Sequence, residues 1–169
     1  NKGLWNNSLM VFAMQMMLML VLGHVLAISK PANTLIFQIA RIPKNTAQAA
    51  ALVVVSTMLI ALFNWGLGLI FGAVLARKMA EAALNSNRTL NYGLIGAAGY
   101  SGLMVWHGGL SGSSLAKVAE TGHLQELVKS SYQDLPFQLP ASIDFSQTVF
   151  APMNITVNLI VIVAATIVF

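Results

Sequence analysis

The sequence predicts an all-α integral membrane protein in which spanning helices accompany a re-entrant helical hairpin and a broken helix. Apolar residues fill 57% of the 169 positions and charged residues only 8%, with a mean hydropathy of +0.74. That is the composition of a chain solvated by lipid, not of a soluble domain. Residues 47–76 form one apolar run interrupted by Asn64-Trp65-Gly66-Leu67-Gly68. As a single helix the run would reach roughly 45 Å at 1.5 Å per residue, against a hydrocarbon core of about 30 Å. Two complete spans need about 40 residues, so the run reads as two half-length arms meeting at a Gly-rich tip inside the membrane. Charge supports the same topology. Lys30, Arg41 and Lys44 precede the run and Arg77, Lys78 and Arg88 follow it, and cytoplasmic loops are where Lys and Arg collect. One crossing would place the two clusters on opposite faces; a dip and return places both inside.

The elements follow in order. Residues 4–29 read as a spanning helix from outside to inside, with Trp5 near one interface and Lys30 at the other. Pro31 suits a first helical turn. Leu35, Ile36, Ile39, Ala40 and Ile42 give residues 31–43 one apolar side, as in an interfacial helix lying along the cytoplasmic surface. The hairpin occupies 47–76. Residues 90–116 then form a helix of small residues, with Gly93, Gly96, Gly99 and Gly102, that neighbours can approach closely. It breaks at His107-Gly108-Gly109-Leu110-Ser111-Gly112-Ser113-Ser114, because Gly is entropically costly in a helix and Ser competes for backbone hydrogen bonds. The next charge is Lys117, so the break falls before the crossing is complete. Residues 117–152 read as an outer loop with short surface-lying pieces. There Lys117 and Lys129 face Glu120, Glu126, Asp134 and Asp144. The segment 153–169 reads as a spanning helix cut short, and the chain, which starts without methionine, reads as a piece of a longer membrane protein.

The composition also removes several classes of function. The net charge of +4 is no nucleic-acid signal, because six of the nine basic residues lie in the two proposed cytoplasmic segments. The chain has no cysteine, so a disulfide or thiolate metal site is excluded. His24, His107 and His123 are scattered, and there is no catalytic triad, metal spacing or phosphate loop. The sequons at Asn6, Asn87 and Asn154 are assigned no role, and the methionines from Met10 to Met19 are read as packing. No Asp or Glu falls in a proposed span. Binding is therefore expected from backbone dipoles, hydroxyls and amides.

The hairpin tip and the break should meet at mid-membrane depth. Half-helix N-termini there offer N–H groups to an anion, and half-helix C-termini offer carbonyls to a cation. The candidate substrate-binding residues are Asn64, Gly66, Gly68, His107, Gly108, Gly109, Ser111, Gly112 and Ser113. Asn64 either contacts solute or caps the exposed arm. The serines either coordinate substrate or bond back to their own helix. The glycines shape the backbone first. His107 is the one ionisable side chain at the break, either a neutral hydrogen-bonding group or a proton carrier.

Three strings carry a family resemblance: FAMQMMLMLVLGHVLA at 12–27, NWGLGLIFGAVLAR at 64–77 and YSGLMVWHGGLSGSS at 100–114, with a weaker fourth, IDFSQTVFAPMNI, at 143–155. The chain resembles the N-terminal part of the bacterial short-chain fatty acid transporter family, the acetoacetate and butyrate permeases. It departs from the family's pattern at His107, where Gly is common, and at Ser114-Leu115, where a Pro follows Ser-Gly-Ser. The resemblance implies a secondary carrier of the bacterial inner membrane, built from two inverted repeats of which this chain holds the first. It further implies a small monocarboxylate as substrate, H+ or Na+ as a coupling cation, no other cofactor and no enzymatic activity. The expected partners are the bilayer, the C-terminal half of the transporter and, left open, a second copy. Two rivals stand beside it: an ion exchanger or dicarboxylate carrier of similar architecture, and a non-transporting scaffold subunit, whose tip would be sealed with no cavity at Asn64.

Overall fold

The computed structural model describes residues 7–111, 114–129 and 139–169. Among them every regular element is helical. Helix α1, Asn7–Ile28, is apolar on all sides. Its segment Leu9–Leu26 has a mean hydropathy of 2.1, with 6% of its residues buried. A helix hydrophobic all round belongs in a core or a membrane, and this one is not in a core. Ser29 interrupts the chain, its hydroxyl donating to the Leu26 carbonyl at 2.6 Å. Helix α2, Lys30–Ala40, follows with Pro31 in its first turn. It is amphipathic, burying Ile36 and Ala40 while Leu35 and Phe37 stay exposed, and Arg41 just beyond it lies 4.5 Å over the Phe37 ring.

Helix α3, Thr46–Phe63, starts at Asn45, whose side-chain oxygen accepts from the Gln48 N–H at 2.9 Å. Such a cap satisfies one of the four orphan donors of a helix start. Helix α4, Trp65–Asn85, begins after Asn64 alone. Asn64 is extended, with φ −150° and ψ 115°, and this one residue reverses the chain into an antiparallel pair. Small residues let the pair close: a Cβ on Gly68 would lie 2.9 Å from the Ala61 backbone, and one on Gly72 would lie 2.8 Å from Thr57 Oγ1. At the other end the hairpin is tied shut. Arg88 Nη1 donates to the Pro43 carbonyl at 3.1 Å, and the Asn91 N–H donates to Thr46 Oγ1 at 3.1 Å.

The second arm, expected to end at 76, continues as α4 to Asn85. Lys, Arg and Glu are good helix formers, and Glu81 pairs with Arg77 at 3.0 Å and Lys78 at 2.8 Å along the helix. The helix stops only at Ser86-Asn87, where Asn87 takes the left-handed conformation with φ 55°. With 18 residues in α3 and 21 in α4, length alone no longer separates half-length arms from two complete crossings.

Helix α5, Tyr92–Ala98, climbs back along α3 and α4 after the Asn91 side chain caps it at Leu94. It leaves α geometry at Gly99, well before the expected break at His107. Two 3₁₀ turns, Ser101–Met104 and Trp106–Gly108, complete the climb. The cause is tertiary: a Cβ on Gly72 would lie 2.5 Å from the Gly99 carbonyl oxygen, and one on Gly102 would lie 2.9 Å from Ala61 Cβ. Close backbone contact replaces regular helix there.

A short helix α6, Ser114–Lys117, ends the expected broken helix at the edge of the expected outer loop, which itself holds α7 at His123–Lys129 and a 3₁₀ turn at Phe145–Gln147. Backbone bonds from Gly122 to Ala141 at 2.8 Å and from Ile143 to Val118 at 2.9 Å close this region on itself. Helix α8, Pro152–Val168, returns with Ile162 and Ala165 buried in the common core.

Candidate functional site at the meeting of the two breaks

The hairpin tip and the broken segment satisfy each other's backbone. A helix end leaves carbonyls without partners and a helix start leaves N–H groups without partners. At the end of α3 the Leu62 carbonyl accepts from the Leu110 N–H at 2.7 Å. At the start of α4 the Trp65 N–H donates to Ser111 Oγ at 3.0 Å, and the Leu67 N–H donates to Asn64 Oδ1 at 3.0 Å. Each bond is worth only about 0.5–1.5 kcal/mol net in water, but an unpaired amide in apolar surroundings costs roughly 2–7 kcal/mol. Residues 110–111 therefore close the gap that Asn64 opens. The expectation of free first-turn N–H groups for an anion is narrowed accordingly: those of Trp65 and Leu67 are taken by the protein itself.

Glycine at the junction serves close approach. A Cβ at Gly109 would run into the Leu62 carbonyl, one at Gly108 into the Asn158 amide, and one at Gly66 into the Met19 thioether. A cavity of about 890 Å³ opens between α1 and the tip. Phe12, Met16, Met19, Leu22 and Leu103 make its apolar wall, while Gln15, Asn64, Trp65, Trp106, Ser111 and Lys117 bring polar groups to it. Trp65 and Trp106 lie with ring centroids 5.5 Å apart. A second cavity of about 290 Å³ lies on the α8 side, lined by Gly108, Gly109, Phe150, Asn154 and Asn158.

The sequence candidates thus divide. Asn64 and Ser111 line the larger cavity, and Gly108 and Gly109 the smaller. Gly66 and Gly68 are buried within α4. His107 is exposed, its ring 4.0 Å from that of Trp106, and it lines neither cavity. Gly112 and Ser113 lie outside the described residues.

Sequence reasoning missed Asn154 and Asn158. Asn154 Nδ2 donates to the Gly108 carbonyl at 2.9 Å and to the Val149 carbonyl at 2.7 Å, while Asn158 Nδ2 meets Asn154 Oδ1 at 3.1 Å. The signal was available: two amides one turn apart share a helix face, and amides on an otherwise apolar helix need partners. Reading Asn154 as a chance sequon hid it. Replacing Asn154 with Leu removes one bond to the break at Gly108 and one to the Val149 carbonyl, together about 1–3 kcal/mol, so uptake by the full-length protein should fall about 5- to 150-fold. Asn158→Leu, which frees only the orientation of Asn154, should cost less. A larger loss for Asn158→Leu in proteoliposome uptake would overturn this hierarchy.

A chain whose described residues form only helical regular elements, two of them long and apolar enough to cross a membrane, with two backbone breaks joined beside a cavity, has the features of a membrane transport protein. Its family is shown by sequence: the model of the family described as short chain fatty acid transporter matches residues 1–169, and the chain belongs to that family. A protein of Escherichia coli named "Putative short-chain fatty acid transporter" is 34% identical over 161 residues, covering 95% of this chain and 33% of that relative. A protein of Haemophilus influenzae with the same name is 33% identical, covering 95% of this chain and 34% of its own length. The chain therefore spans about a third of the length of the curated relatives it matches. No solved structure matches.

Proposed function

We propose that the full-length protein carries short-chain monocarboxylates such as butyrate or acetoacetate across the bacterial inner membrane, as a secondary carrier coupled to H+ or Na+. The observation that carries this reading is the cavity at the joined breaks, with an apolar wall for an alkyl chain and neutral donors beside it. The amide NH2 of Asn64 and the hydroxyl hydrogen of Ser111 stay available, because their oxygens are the atoms that accept from the α4 backbone. A scaffold subunit would have a sealed tip, and this tip lines a cavity instead. The rest of the transporter, a second inverted repeat on this reading, would close the site.

The re-entrant depth of the hairpin belongs to the same proposal, with α1 as its ruler. Met19 packs at Gly66 and Ile70 packs at Gly23, so α1 and α4 run parallel in one constant register. The tip is level with Met19, near the middle of the apolar window Leu9–Leu26. From Leu9 to Met19 the helix rises about 15 Å, half of a hydrocarbon core of about 30 Å. Carried to the end of α1, the register puts Ile28 level with Leu75, directly before Arg77 and Lys78.

Full-length protein in proteoliposomes should take up radiolabelled butyrate in preference to a four-carbon dicarboxylate. Ser111→Ala should weaken apparent affinity about 2- to 13-fold, the loss of one hydrogen bond. Uptake of the dicarboxylate alone would assign the protein to the rival carrier class.

A further inference from the structure

The proposed cargo is an anion, and an anion leaving water needs its charge met. The N–H groups of Trp65 and Leu67 are committed to Ser111 and Asn64. Gln15, Asn64, Trp106 and Ser111 are neutral, and of the residues lining the larger cavity Lys117 alone carries charge. We infer that Lys117 is the cationic group that receives the transported carboxylate, and that Glu120 is the counter-ion it exchanges for that carboxylate. This rests on the monocarboxylate reading above and names the residue that sets its selectivity.

The placement suits exchange. Lys117 Nζ is 2.7 Å from Glu120 Oε1, with the side chains 49% and 58% exposed. Lys117 lines the large cavity and also an adjoining hollow of about 290 Å³, and Glu120 lines the hollow alone. The lysine thus stands at the partition between cargo and resting partner. Its ammonium is a compact charge on a flexible four-carbon stem with three donors, so it can change partners without backbone movement. Hydrogen bonding to Lys117 holds the Glu120 carboxyl below its ordinary range, so the resting counter-ion is ionised at neutral pH. An exposed pair of this kind adds little to stability, which leaves it free to break. One lysine neutralises one carboxylate; a dicarboxylate would keep a bare charge beside apolar walls.

The exchange makes opposite predictions for its two members. In full-length protein at matched membrane expression, Lys117→Met should raise the KM for butyrate uptake about 10- to 150-fold, the loss of one charged hydrogen-bond partner. Lys117→Arg should stay within about threefold of wild type, because the charge remains. Glu120→Gln should lower KM, because the competitor has gone. A structural ion pair would move both deletions in the same direction. Shifts of the same sign, or no shift in either variant while wild type transports butyrate, overturn the role of Lys117 and leave the transport reading standing. Absence of butyrate uptake by wild type overturns the transport reading, and this inference with it.

Discussion

Replacing Gly109 with leucine is expected to abolish monocarboxylate uptake by the full-length protein while its membrane insertion is unchanged. A Cβ at this position would meet the Leu62 carbonyl oxygen, with the Leu62 carbonyl carbon and Cα 2.9 Å away. Backbone cannot retreat as a flexible side chain can. Leu62 lies in the last turn of α3, and its oxygen is held by the Leu110 N–H. The added side chain must lift residues 109–111 off the tip. That breaks the Leu62–Leu110 bond and the Trp65–Ser111 bond together. Overpacking of this kind costs about 1–3 kcal/mol, and the three orphaned backbone groups, the Leu62 carbonyl and the Leu110 and Trp65 N–H groups, add to it. Gly96→Ala is the control, since a Cβ there meets nothing within 4 Å. That variant should transport like wild type, or gain slightly from the better helix former. Equal uptake by Gly109→Leu and wild type in proteoliposomes would make the contact irrelevant to transport.

The contrast between these two glycines bears on what the sequence could reveal. Local propensity put Gly96 in a helix and Gly109 in a break, but it did not say which of them lies against another backbone. The difference lies in Leu62, distant in sequence and adjacent in space. The same holds for the start of the broken segment. His107-Gly108-Gly109 marked a break by propensity, but the departure from α geometry at Gly99 is set by Gly72 on another helix. Features governed by local chemistry were legible: the all-apolar α1, Pro31 in the first turn of α2, and an interruption of the long run within Asn64-Trp65-Gly66-Leu67-Gly68, of which the fold uses Asn64 alone. What escaped depended on which orphan group found which partner. Ser111 was a substrate ligand by composition; in the fold its oxygen accepts from Trp65, and only its hydrogen remains to donate. Charges misled in one place: Arg77 and Lys78 read in sequence as the end of the arm, but Arg, Lys and Glu are good helix formers and α4 runs through them to Asn85.

Cysteines placed at Arg41 and Arg88 should react with an impermeant thiol reagent from the same, cytoplasmic, side, and a spin label at position 63 should sit near the bilayer centre. Arg41 and Arg88 line one polar cavity of about 270 Å³, so the first result needs only the hairpin to be closed. The second separates a re-entrant pair from two full crossings. If α4 crossed completely, Trp65 would lie at the outer interface and Asn85 at the inner one. Arg77, Lys78 and Glu81 would then fall about 6–12 Å inside the hydrocarbon at 1.5 Å per residue. Each would cost up to about 2.5–3.5 kcal/mol toward the centre, less whatever snorkelling recovers. A tip at mid-depth brings the same three charges to the interface at no such cost, and lets α1 alone bridge the outer half. Phe63 is 71% exposed at the tip, so a label there reports depth without disturbing the core. In a cysteine-free full-length background, collision with oxygen should dominate over collision with an aqueous nickel chelate. Dominant contact with the chelate added from outside would place the tip at the outer surface, make α3 and α4 complete spans, and remove the mid-membrane site with them.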